Sequence, residues 1–290
     1  MAVSSRGFEV VTSADGTLYG YRKMGAGPGV ILLHGGMLSS ESFVRLGECL
    51  AGDFTVYIPD RRGRGASGPV GARYSVVRDV EDVKALVAHT GADSIFGLSS
   101  GAIIALESAL AIPALRRVAA YEPPYRVGSY DPAAWAPRYE RELSRGKLAD
   151  AMFTVMKGTS GSRLLKSIPH SLAVPLLERG LRENERGAKP DQVPFRELIP
   201  TMRFDAAIVN ETSVSLERMR SLRADVLLVG GSKSAAFLHA ALDALALLIS
   251  GARRVELRGL RHTAPCNDGK PQIVAAALRD FFLMRGARTE

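Results

Sequence analysis

The sequence predicts an α/β fold built on a mostly parallel, eight-stranded sheet flanked by helices. Three observations carry that prediction. Short apolar runs alternate with helix-like patterns through the first 120 residues, and the alternation resumes near Ala224. Several of the runs are continuous and end in glycine or serine, as strands buried on both faces do. Between about Tyr125 and Leu222 the rhythm breaks into helical pieces and proline-bearing turns, with no convincing parallel strand.

The elements follow in order. FEVVTS and TLYGYRKM flank the turn signal Ala14-Asp15-Gly16 and read as a hairpin. GVILLHGG, from Gly29, and FTVYIPD, from Phe54, are buried parallel strands. Val77, Val80, Val83, Leu86 and Val87 recur at helical spacing and predict a helix over Val76–His89. DSIFGLSS is the next strand, Gly101–Ile112 the next helix, and RRVAAYEPP a strand stopped by Pro123 and Pro124. The second block is the strand DVLLVGG from Asp225, a helix over Ala235–Ile249, the strand RRVELRGL, a loop holding His262, and a helix over Lys270–Arg285. Residues 1–124 and 223–290 thus form the core. Residues 125–222 form a helical cap, inserted between the strand ending at Glu122 and the strand starting near Asp225. Pro137–Thr154 is one helical stretch of that cap, its proline suited to a first turn.

Composition removes several function classes. The net charge of +8 invites a nucleic-acid reading, but the basic residues are mostly scattered arginines. No nucleic-acid fold motif and no basic stripe with interleaved aromatics accompanies them. Two cysteines, Cys49 and Cys266, give neither a disulfide framework nor a metal spacing. MAVSSRGFEV has no apolar signal core, and no run reaches the roughly 18 apolar residues of a membrane span. The expectation is a cytoplasmic monomer or homodimer with a small-molecule substrate, no cofactor, no metal, no nucleic acid and no membrane.

The chemistry starts at Gly97-Leu98-Ser99-Ser100-Gly101, a G-x-S-x-G where a strand becomes a helix. Such a turn projects the serine hydroxyl from the top of the sheet, and the flanking glycines let strand and helix approach. Attack by Ser99 on a carbonyl needs donors for the oxyanion. The N–H of Ser100 is one, and an N–H of the earlier LLHGGMLSS loop is the other, with Gly36 preferred over Gly35. His34 reads as a structural hydrogen-bonder under that loop.

With PDRRGRGASG, from Pro59, the order strand-His-Gly, D-x-R-G-x-G-x-S and serine elbow resembles the α/β-hydrolase family. The resemblance implies the α/β-hydrolase fold and makes Asp60 and Arg62 parts of a structural turn. It also implies that His262, in GLRHTAP after the last strand, is the general base. The sequence departs from the family's common pattern at the acid, because Val226–Leu242 holds no Asp or Glu. Glu122, ending the strand that follows the nucleophile helix, stands at another suitable place. In this the layout resembles the zearalenone-type lactone hydrolases, which carry a Glu there. Ser99, His262 and Glu122 are therefore the expected triad, with Asp268, or orientation of the histidine by Ser234 or water, as alternatives. Tyr125, Trp135, Phe153, Met156 and Phe204 are candidates to line an apolar pocket. The expected activity is hydrolysis of a medium-sized hydrophobic ester or lactone. Carbon–carbon bond hydrolysis, thioester release or cyclisation, perhydrolysis and a non-catalytic ligand-binding homologue remain open on the same residues.

Overall fold

The computed structural model describes residues 7–189 and 192–284. Eight strands form one sheet: β1 (Glu9–Thr12), β2 (Leu18–Met24), β3 (Gly29–Leu33), β4 (Thr55–Pro59), β5 (Ser94–Leu98), β6 (Arg117–Tyr121), β7 (Asp225–Gly231) and β8 (Arg253–Leu257). Their order is β1-β2-β4-β3-β5-β6-β7-β8. β1 with β2, and β2 with β4, pair antiparallel; every other neighbour is parallel. The hairpin and the parallel strands therefore stand where the apolar runs place them.

Alternation along the central strands divides the core into two layers. Ile31, Leu33, Ile95, Val118 and Leu228 face one side, under α2 (Val76–Thr90), α3 (Ser100–Ala111) and α10 (Ala236–Leu248). Val30, Leu32, Phe96, Leu98 and Val229 face the other, under α1 (Val44–Leu50) and α11 (Pro271–Leu283). Both faces are covered, which is why these strands read as unbroken apolar runs. One detail of α2 differs from its valine pattern. Val77 is exposed, while Asp79 and Asp82 are buried on the core face. They sit there because Asp79 pairs with Arg61 and Asp82 with Arg62, and paired carboxylates tolerate burial that lone ones do not.

Between β6 and β7 the chain is helical: α4 (Ala136–Leu143), α5 (Leu148–Thr159), α6 (Arg163–Ser167), α7 (His170–Gly187), α8 (Phe195–Leu198) and α9 (Met202–Thr212). The stretch expected as one helix over Pro137–Thr154 is two, because Gly146 adopts φ 70° and turns the chain. α9 packs on α3, which brings the cap over the carboxyl edge of the parallel strands.

Candidate active site

Ser99 follows β5 and caps α3, with φ 57° and ψ −124°. A non-glycine residue there is strained, at a cost of about 1–3 kcal/mol. The backbone enforces it. The Ser99 N–H donates to the carbonyl of Tyr121, and its own carbonyl accepts from Ala102. The two flanking glycines have no space for a side chain. A Cβ on Gly97 would stand 2.2 Å from the Gly101 carbonyl oxygen, and one on Gly101 would stand 2.5 Å from the carbonyl oxygens of Leu33 and His34. Among the described residues, positive φ outside glycine occurs at Met37, Ser99 and Glu122, all at this one sheet edge.

Glu122 ends β6. Leu98 pairs with Tyr121 across β5 and β6, so Ser99 and Glu122 are the next residues up on neighbouring strands. The Glu122 side chain is fully buried, and both of its oxygens are engaged. Oε1 accepts from the Gly231 N–H at 2.6 Å, and Oε2 lies 2.6 Å from Nδ1 of His262. Of the carboxylates weighed in the sequence, Glu122 is the one on the imidazole. Asp268 is exposed and faces a different cleft, beside Arg45 and Glu48. Asp225 starts β7 at the opposite edge, and Asp243 pairs with Arg254. Among the described residues Ser234 Oγ is buried with no hydrogen-bond partner.

The loop after β3 supplies Gly36, against which α9 packs closely. A Cβ there would meet Met202 Sδ at 2.6 Å and the Asp205 carboxylate at 3.2 Å. Gly35 lies against Leu98 and Ser99, and its carbonyl accepts from Arg64 at 3.1 Å. His34 is buried beneath: Nε2 accepts from the Arg61 N–H, which leaves the proton on Nδ1, 3.0 Å from the Gly35 carbonyl. Burial and the nearby guanidiniums hold this imidazole well below its usual pKa, hence neutral.

Gly36, Ser99, Ser100 and His262 open into one cavity. Its other walls include Met202, Asp205 and Val209 of α9, Phe237 and Leu238 of α10, and Trp135. Of the five side chains expected to line a pocket, Trp135 lines this one. The other four are not among the residues that line it. Tyr125 is buried in the core layer containing α3. Phe153 is buried on α5 against His170. Phe204 packs edge-on against Tyr74, 4.9 Å between ring centroids. Met156 is half-buried on α5 and is not one of the lining residues. Aromatic content announced the cap's packing rather than its inner face. The signal for that inner face was the spacing of Met202, Asp205 and Val209, at i, i+3 and i+7 on one helix side.

Asp205 was not expected at the site. It is buried, and its Oδ1 accepts from Ser100 Oγ at 2.6 Å and from Arg61 Nη1 at 2.7 Å, while Oδ2 accepts from Arg64 Nη2 at 2.5 Å. Arg61 also pairs with Asp79, which accepts from the Tyr74 hydroxyl. Burial alone would push the Asp205 carboxyl up, but Arg64 and Arg61 outweigh it and bring it down to about 2. It is an ionised carboxylate in the cavity wall, and two guanidiniums neutralise it.

Residues 30–277 match the model of the Alpha/beta hydrolase family. An alpha/beta hydrolase from Sphaerobacter thermophilus DSM 20745 is similar at 30% identity, with a TM-score of 0.75 over 94% of this chain and 100% of that one. An enol-lactonase from Burkholderia xenovorans LB400 aligns at 21% identity, TM-score 0.70, over 95% of this chain and 100% of the other. An esterase from Rhodococcus sp. ECU1013 aligns at 20% identity, TM-score 0.68, over 95% and 98%.

Proposed function

The chain belongs to the alpha/beta hydrolase family, and from that premise we propose that it hydrolyses a carboxylic ester or lactone through an acyl-enzyme on Ser99. The observation that carries the reading is the 2.6 Å contact between Glu122 Oε2 and His262 Nδ1, with His262 and Ser99 lining one cavity. Glu122 fixes the tautomer that leaves Nε2 free to take a proton, and its charge favours the imidazolium that forms. Both Glu122 oxygens are held, so the imidazole has a fixed aim.

The chemistry balances on these groups. Ser99 Oγ bonds to the carbonyl carbon as its proton moves to His262 Nε2. The electron pair goes to the carbonyl oxygen, which the Ser100 and Gly36 N–H groups receive. Collapse breaks the bond to the alcohol oxygen, which takes the proton from His262. Water repeats the cycle on the acyl-enzyme: its proton passes through His262 to Ser99, and the acid leaves. In a lactone the leaving alcohol stays tethered to the acyl group.

The cavity limits what enters it. The free volume beside Ser99 is small, about 60 Å³. A short acyl chain or small ring fits, and a larger substrate would leave its remainder at the mouth. The esterase and enol-lactonase names of two structural neighbours agree with this substrate class, and the Glu after β6 favours the lactone arm of the reading.

The test is hydrolysis of a p-nitrophenyl ester series and of small lactones by wild type, Ser99→Ala and Glu122→Gln. Expected are turnover by wild type, its loss in Ser99→Ala, and a drop of about a hundredfold or more in Glu122→Gln. Near-wild-type activity of Glu122→Gln removes Glu122 from the triad. Failure of Ser99 to react with a fluorophosphonate probe, together with no turnover, overturns the catalytic reading in favour of a ligand-binding protein.

A further inference from the structure

The wall of the cavity holds charge that the hydrolytic cycle does not use. Arg61, Arg64, Asp79 and Asp205 are all buried and ion-paired, and they form a cluster of two positive and two negative charges. Asp205 is its one member that lines the cavity. The arginines lie behind it, with their guanidiniums on its two oxygens.

We propose that Asp205 is the specificity-determining residue of this cavity: by occupying Arg61 and Arg64 it restricts the site to substrates whose entering group is uncharged. The inference rests on the reading that the cavity beside Ser99 receives the substrate. Two buried guanidiniums next to a nucleophile would otherwise be a carboxylate receptor, since guanidinium forks match carboxylates and the low dielectric strengthens the attraction. Here the protein supplies the carboxylate itself, from the cap. A ligand carboxylate would meet Asp205 first, and the guanidinium donors behind it are already spent, Arg64's on Asp205, Thr201 and the Gly35 carbonyl and Arg61's on Asp205 and Asp79. A ligand cation would meet a carboxylate whose charge is already balanced. The same neutrality serves the chemistry. An uncompensated carboxylate within van der Waals reach of Gly36 would oppose an oxyanion forming there.

The prediction depends on charge count, so variants can step it. Asp205→Asn preserves shape and leaves the cluster at +1. Arg64→Met leaves it at −1. The double variant returns it to zero. The protein's single tryptophan, Trp135, lines the cavity, so its fluorescence reads occupancy without any turnover. Each protein is titrated at low salt with butyrate, butyramide and butylammonium, three ligands of similar size and different charge. Wild type and the double variant are expected to favour butyramide. Asp205→Asn should shift the ratio of butyrate to butyramide affinity upward, on the order of tenfold, and Arg64→Met should shift the butylammonium ratio likewise. If one single variant fails to fold, the other still tests the charge count. Wild type binding butyrate as well as butyramide overturns the proposal, as does an unchanged ratio in a folded single variant. These outcomes are independent of whether Ser99 turns over an ester, so loss of the hydrolase reading would show in the Ser99→Ala comparison and not here.

Discussion

Glu122 and Asp205 are two buried carboxylates with different surroundings, and the difference sets their tasks. Among the described residues, the side chain of Glu122 meets the imidazole it orients and a backbone N–H on its second oxygen. Asp205 is held between two guanidiniums and a hydroxyl, which keeps it ionised well below the ordinary carboxylate range. That depression has a consequence for stability. A carboxyl near 2 when folded and near its ordinary value of 3.8 when unfolded binds protons more readily in the unfolded state. Its contribution, about 2 kcal/mol, is therefore complete above the unfolded value and is lost as pH falls toward 2. Asp205→Asn lacks the titrating group. The stability gap between wild type and Asp205→Asn, measured by urea unfolding, should stay constant from pH 7 to about pH 5 and narrow by about 1 kcal/mol by pH 3. A gap that holds steady through pH 3 would show that the carboxyl is not depressed by its partners.

At the scale of elements, the sheet was legible because burial on both faces turns strands into continuous apolar runs, and the hairpin because Asp15-Gly16 marks its turn. Helix α3 and the strand before it were legible from the elbow, whose glycines are required by backbone contacts rather than by composition. Glu122 was expected from the resemblance to hydrolases that carry a Glu after this strand, because the family's common position holds no acid here. The cavity's inner wall was not, because a list of cap aromatics does not give their azimuth. Tyr125 and Phe153 turn into the packing, while Asp205 turns toward Ser100 across 105 residues of chain. Nor does any local pattern in α10 show that its first turn reaches the site. There Phe237 lines the cavity, is half-buried and stacks on Tyr130 at 4.6 Å. Its removal should widen the cavity with little damage to the core. Phe237→Ala is expected to move the preferred p-nitrophenyl acyl chain from two or three carbons to about six, read as a severalfold rise in the hexanoate-to-acetate ratio of kcat/KM. An unchanged chain-length profile would place the acyl group away from α10.

For the whole molecule the question is whether cap and core are one cooperative unit. The helical insert could be an independent lid, but its packing argues otherwise. Tyr139, Val155, Ile199, Ile208 and Val209 of the insert belong to the same buried apolar cluster as Ile31, Ile95 and Val118 of the sheet. Polar ties cross the boundary as well. Asp205 is paired with Arg61 and Arg64 of the core, the Val76 N–H donates to Glu211, and buried Glu107 of α3 is paired with Arg218. Lifting α9 would leave Arg61 with Asp79 as its one carboxylate and Arg64 with none of these partners, and breaking one side of a buried pair costs about 3–5 kcal/mol. A cap tied in this way is expected to have no stable open state that leaves the core folded. Calorimetry and urea unfolding, followed both by Trp135 fluorescence, which reports on the cap, and by far-ultraviolet circular dichroism, which is weighted to the whole chain, should give coincident single transitions. In Asp205→Ala the tie is cut, and the fluorescence transition is expected to move below the dichroism transition. Separate transitions in the wild type would mean that the cap folds on its own and that the buried charge cluster does not couple it to the sheet.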